Sequence, residues 1–160
     1  MDHFYLMHLS YGDRSSREPL WNFAKRHRLI GLSFRGIDRR WDVVSDAKRL
    51  ALTSTWRYHF EKFSSMEQGD VVLVINGQTD VLGVACVTGE YEHKEGLSDD
   101  FFSHVRRVKW LQSYDWADRK PAKVGGFRNT ILRIEDGSPF WRLTKVNLNL
   151  RSQVPAKVRH

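Results

Sequence analysis

The run from Gly69 to Lys94, "GDVVLVINGQTDVLGVACVTGEYEHK", restricts the fold more than any other part of the chain. It holds two apolar segments of strand length separated by Asn76-Gly77-Gln78-Thr79. Apolar runs rich in β-branched residues and split by a polar, Gly-containing turn read as a β-hairpin. A hairpin this hydrophobic belongs at the centre of a domain. Its far end, Glu90 to Lys94, shifts abruptly to Tyr, His and charge. What that end is there to hold is the functional question.

With 160 residues, 41% of them hydrophobic, the chain fits one compact domain with a real core. Six Trp, nine Phe and five Tyr exceed what a minimal core needs, and large aromatics also serve as recognition surface. Cys86 is the single cysteine and sits in an apolar run, which excludes a disulfide framework and suits a reducing cytoplasm. No segment has the length of a membrane span, and the first residues lack the pattern of a signal peptide, so no membrane partner is expected. The net charge of +7 favours polyanions, because cations that neutralise phosphates release counterions; it serves equally as plain solubility.

Along the chain, "FYLMHLSY" reads as a strand and "EPLWNFAKRHRL" as a helix with Leu20, Phe23, Ala24 and His27 at helical spacing. "LIGLSF" reads as a short buried strand, and "RGIDRRW" as a loop with three arginines. A helical pattern covers 42–63, with the Thr-Ser-Thr stretch at 53–55 pointing to a division into two helices. After the hairpin come a charged loop, a strand at "HVRRVKWL", a loop through "SYDWADRKPAKVGG", a strand candidate in "FRNTILRI", and a helix capped by Ser138 with Pro139 at its start. The expectation is α+β: a curved, barrel-like, mostly antiparallel sheet of about six strands flanked by helices. Residues 1–150 form the domain, and 151–160 read as a basic linker or tail.

The sequence holds no glycine-rich phosphate loop, no zinc spacing and no Gly-x-Ser-x-Gly turn, and its histidines are scattered; no metal or cofactor is expected. One pattern imitates a metal-dependent nuclease: Asp80, then Glu92 and Lys94. At about 3.3 Å per extended residue these groups stand roughly 30 Å apart, too far to share an ion.

Three stretches together resemble a known family. They are the hairpin, with Gly83, Ala85, Val87, Thr88, Gly89 and Tyr91 in order; "FFSHVRRVKWL", with His104, Arg106, Val108 and Trp110 alternating; and "WDVVSDAKRL" upstream. They resemble the EVE/PUA-like modules of McrB-type modification-dependent restriction proteins, over roughly residues 4 to 112. The chain departs from that pattern in its Arg-rich lead into Trp41 and in Ser45-Asp46, where EVE domains tend to carry Arg-Asn.

The resemblance implies a pseudo-barrel akin to YTH and PUA domains. Relatives bind a modified base, flipped out of duplex DNA or taken from single-stranded RNA, in an aromatic-walled pocket, and perform no reaction themselves. It nominates Phe34, Trp41 and Tyr91 as walls and Ser33, Asp46 and Asn76 as edge readers. Trp41 reads equally as a core residue seating the long helix, and Phe34 as the end of a buried strand. Arg35, Arg39 and Arg40 flank Trp41, where they would grip phosphates or simply be solvated. Arg106, Lys120, Lys123 and Arg128 are further backbone contacts; Arg107 and Lys109 share the strand of Arg106. Trp116 reads as a wedge or a lid. The partner implied is modified double-stranded DNA, with a fused or associated GTPase motor or nuclease. A YTH-like reader of modified RNA is the alternative, and the small nuclease a third reading.

Overall fold

The computed structural model describes residues 3–9, 17–32, 37–77, 80–94, 103–121 and 131–158, with side chains to 149. Seven strands and four helices follow one another: β1 (Phe4–His8), α1 (Arg17–His27), β2 (Leu29–Leu32), α2 (Asp46–Ala51), α3 (Ser54–Ser65), β3 (Val71–Asn76), β4 (Asp80–His93), β5 (His104–Ser113), β6 (Lys120–Pro121), β7 (Ile131–Ile134) and α4 (Pro139–Val158). The backbone of α4 is helical through the stretch whose composition reads as a tail.

The hairpin is the centre of the sheet, as its composition demands. All six residues of β3 are buried, and the sheet runs β2-β5-β4-β3-β1-β7, with β6 paired to the start of β4. β1 lies parallel to β3, and the remaining pairings are antiparallel, so the α+β sheet is mixed. The barrel-like closure expected from the sequence is not formed among the described strands. The path is open, with β2 at one end and β7 at the other.

Strand alternation explains why both faces need cover. Val72 and Val74 of β3 and Tyr5 and Met7 of β1 join one core with Leu20 and Trp21 of α1 and Phe60 and Phe63 of α3. Leu73, Ile75 and Leu6 point the other way, into a second core covered by Phe140, Trp141, Leu143 and Leu148 of α4. The Tyr114 hydroxyl donates to Asn147 Oδ1 at 2.6 Å and ties α4 to the end of β5.

Local signals set the helices. Ser45 caps α2 by accepting from the Lys48 amide, and Thr53 caps α3 by accepting from the Trp56 amide, so the Thr-Ser-Thr stretch does divide two helices. On α1 the buried residues are Leu20, Trp21 and Ala24. Trp21 Nε1 donates to the Tyr114 carbonyl at 2.8 Å, which lets an indole be fully buried.

Gly83 of β4 is required by close approach. A Cβ there would stand 2.6 Å from the Gln112 carbonyl oxygen and 3.2 Å from the Trp21 ring. Backbone of a paired strand cannot retreat cheaply, so Gly83→Ala is expected to cost about 1–3 kcal/mol in urea unfolding. A neutral result would mean that β4 and β5 are not held this closely.

A candidate nucleic-acid interface at the end of the hairpin

The second strand of the hairpin does not stop at Glu90. Val87 pairs with Val108 and Tyr91 with Arg106, so residues 88–90 stand opposite Arg107 alone. This bulge re-aims β4, as bulges commonly do. At its middle, a Cβ on Gly89 would lie 2.9 Å from the Arg107 Cβ, which only glycine avoids. Beyond the bulge Tyr91 turns into the protein and is 3% exposed.

The Tyr91 hydroxyl belongs to a buried chain of hydrogen bonds. It accepts from the Trp41 amide at 3.2 Å and lies 2.5 Å from His104 Nδ1. His104 Nε2 is 2.9 Å from the Ile37 carbonyl, which can only accept. The proton of a neutral imidazole therefore sits on Nε2, leaving Nδ1 to accept from the tyrosine. Burial favours this neutral form, lowering His104 to about 4, and raises the Tyr91 phenol to about 12.

Trp41 and Tyr91 do meet, but not as facing walls of a slot. Trp41 opens a short 3-10 turn, is 3% exposed and stacks on Phe60 with ring centres 5.1 Å apart and planes 10° apart. Arg49 Nη2 donates to its carbonyl at 2.6 Å. The core reading of Trp41 is the one the packing supports, because the turn before α2 presses its ring onto α3.

Beside Tyr91 lies a cleft of about 480 Å³. Arg40 and Asp42 form one side; Ser64, Met66, Glu67 and Gln68, at and beyond the end of α3, form the second. Gly89, Glu90 and Tyr91 of the bulge and Arg106 of β5 complete it. The volume falls within the roughly 300–1,000 Å³ of small-ligand sites. The guanidinium carbons of Arg40 and Arg106 lie 5.8 and 5.9 Å from the Tyr91 ring centre. Arg40 is held by Asp42 through two contacts of 3.0 and 2.9 Å. With Asp42, Glu67 and Glu90 on its border, the cleft suits a group that donates hydrogen bonds, such as a base amino edge, better than a phosphate.

Other sequence candidates lie elsewhere. Asn76 closes β3 at the opposite end of the hairpin and accepts from Arg17 Nη1 at 3.2 Å. Its partner Asp80 stands eleven positions from Tyr91 along β4, about 35 Å of strand, so Asn76 is no edge reader here. Lys120 pairs with Val81 at that same far end. Asp46 is the exposed first residue of α2, and Arg39 is exposed beside Asp38 at 3.6 Å. Arg106 lines the cleft, but its side chain is committed to three carbonyls and is not a free phosphate contact. Ser33, Phe34, Arg35, Lys123 and Arg128 lie outside the described residues. Trp116 is half-buried, with the Arg119 guanidinium 4.1 Å from its ring centre.

The nuclease pattern does not converge. Asp80 and Glu92 lie twelve residues apart on the single strand β4; Asp80 pairs with Arg119 at 3.1 Å, and Glu92 with Lys94 at 3.6 Å. No group of three or more His, Cys, Asp or Glu suited to a metal occurs among the described residues.

Sequence reading missed Ser64, Glu67 and Gln68 on the cleft wall. A signal for them existed. The Gly69 amide donates to the Val87 carbonyl and the Val87 amide to the Asp70 carbonyl, so the hairpin register, continued backwards, carries Glu67 and Gln68 toward the bulge. The buried Asp70 carboxylate holds the turn there by accepting from the His3 and Glu67 amides at 2.9 and 2.8 Å.

Among solved structures, the chain is similar to the Mmi1 YTH domain, at 16% identity and TM-score 0.53, with 95% of this chain and 78% of that one covered. A second structure of the Mmi1 YTH domain gives 15% identity and TM-score 0.52, with 98% and 99% covered. The YTH domain of the Zygosaccharomyces rouxii MRB1 protein, solved with N6-methyladenosine RNA, is 16% identical over 92% of this chain and 85% of that one, at TM-score 0.47. The first two make the fold YTH-like. No curated protein matches the sequence. One family model matches residues 9–134, most of the chain, and the protein belongs to that family, described as a domain of unknown function (DUF8426).

Proposed function

We propose that this domain is a nucleic-acid reader that lodges one modified nucleotide in the cleft beside Tyr91 and performs no reaction itself. The observation that carries the reading is the cleft: a ring flanked by two guanidinium groups, bordered by three carboxylates, in a YTH-like fold. Extruding a base costs a few kcal/mol, which stacking on the exposed Arg40 guanidinium plane and edge hydrogen bonds must offset. Carboxylates at the rim supply acceptors for an amino edge, and the net charge of +7 supplies attraction for the strand as a whole.

Two backbones fit this reading. The likeness in sequence to restriction modules supports a methylated or hydroxymethylated base in duplex DNA. The YTH-like fold supports a modified base in single-stranded RNA, and on the fold we favour RNA. The test is a titration of matched oligonucleotides, RNA and DNA, with and without N6-methyladenine, 5-methylcytosine or 5-hydroxymethylcytosine. One modified oligonucleotide is expected to bind about tenfold more tightly than its plain counterpart, the discrimination one methyl group supports. Glu90→Gln, which replaces a carboxylate acceptor by an amide, should weaken that binding by about tenfold. Equal affinities across all modifications would remove the proposal.

A further inference from the structure

A second depression lies across the bulge from the cleft. It measures about 560 Å³ and is lined by His27 and Arg28 after α1, Thr88 of the bulge, and Arg107, Lys109 and Trp110 of β5. Its composition is the reverse of the cleft's: among the described residues, the lining has three permanent cations and no carboxylate. Arg28, Arg107 and Lys109 are exposed, and among the described residues none of them pairs with a carboxylate.

The placement of these cations is fixed by backbone. Arg107 and Lys109 flank the buried Val108 on β5, so both project outward from the same face, about 7 Å apart. Arg28 has a left-handed φ of 55°, and its carbonyl accepts from the Val108 amide at 2.9 Å, which holds the end of α1 against β5. Trp110 is half-buried and packs edge-on against Trp21, ring centres 4.9 Å apart, so its indole is rigid.

The two depressions share one ridge. Thr88 lines the groove and Gly89 the cleft; Arg107 and Arg106, turned to opposite faces of β5 by strand alternation, line the groove and the cleft in turn. A polymer with one residue in the acid-rimmed cleft would reach the cationic groove by rounding the bulge between Gly89 and Thr88. We propose that the groove of Arg28, Arg107, Lys109 and Trp110 binds the sugar-phosphate chain of a single strand whose neighbouring nucleotide occupies the cleft. The inference rests on the reading of the cleft as a base site. Three exposed cations beside a site read as a base pocket favour the regularly spaced phosphates of a nucleic-acid strand over an acidic peptide.

The test uses the full chain and the single-stranded oligonucleotides above, with affinity measured from 0.05 to 0.5 M salt. Arg107→Gln with Lys109→Gln removes two exposed cations, and thermal melting should be unchanged. The double variant is expected to bind modified and plain strands alike roughly tenfold more weakly, with the salt slope reduced by about 1.4, two contacts' worth. The ratio of modified to plain affinity stays as in the unaltered protein. Unchanged affinity and slope in the double variant would overturn the groove while leaving the cleft reading intact. Equal binding of modified and plain strands by the unaltered protein, with the double variant still weakened, would overturn the cleft and support the groove as a strand site.

Discussion

Arg106→Ala is expected to lower the free energy of unfolding by about 3–5 kcal/mol, the range for removing one partner of a buried charged network. Arg106 is 5% exposed, and its guanidinium donates to the carbonyls of Phe63, Ser64 and Gly89 at 3.0, 2.9 and 3.2 Å. The first two belong to the last turn of α3, where carbonyls lack helical partners and a cation also meets the negative end of the helix dipole. The third lies in the β4 bulge. One planar group thus ties the end of α3 to the bulge, and truncation would leave three carbonyls facing a cavity. Arg106→Lys should recover little, since one ammonium cannot reach all three with the geometry of a fork. Urea unfolding of both variants decides it; a loss below about 1 kcal/mol for alanine would return Arg106 to the surface role its charge suggests in the sequence.

The second large effect is loss of stability in mild acid. His104 is wholly buried and its pKa is lowered to about 4, chiefly by desolvation, against 6.5 for an ordinary histidine. Between those values the unfolded chain binds a proton that the folded chain refuses, so stability falls as pH drops from 6.5 toward 4 and levels off below. The loss from this one residue is roughly 2–4 kcal/mol. His59, also buried and lowered to about 4, adds to the same window. Protonation of His104 would also place a second proton on Nδ1, where the Tyr91 hydroxyl now donates, and turn that hydroxyl into an acceptor from both His104 and the Trp41 amide. Denaturant midpoints at pH 7, 6, 5 and 4.5, with His104→Gln as the control, test this. A flat profile in the unaltered protein would mean that the imidazole is hydrated or charged in the fold.

Much of the architecture was legible because it follows from patterns of short range. The apolar hairpin announced the central strands, Ser138 and Pro139 the start of α4, and Thr53 the break between α2 and α3. The open, mixed sheet was not legible, since the parallel pairing of β1 with β3 depends on chain crossovers rather than on any local signal. Of the residues named from sequence, Tyr91 and Arg40 both line the cleft, since they stand near turns and strand ends. Asn76 was nominated through the resemblance alone, and the fourteen residues of β4 carry the strand end well away from the turn where it sits. Arg106 was misread because a charged residue in a strand looks like surface until three carbonyls are found around it. Trp41 had two readings, and stacking on Phe60 separates them.

The central claim is that a modified nucleotide sits against Tyr91. The most direct measurement is a titration of the isotope-labelled protein with the preferred modified nucleoside alone, followed by amide and side-chain resonances. Shifts concentrated at Ser64 to Gln68, Gly89 to Tyr91 and the Arg40 and Arg106 guanidinium groups, with little change at Asn76 or Lys120, are the predicted result. Shifts confined to other surfaces, or none at millimolar nucleoside while the same base in a strand still binds selectively, would contradict it.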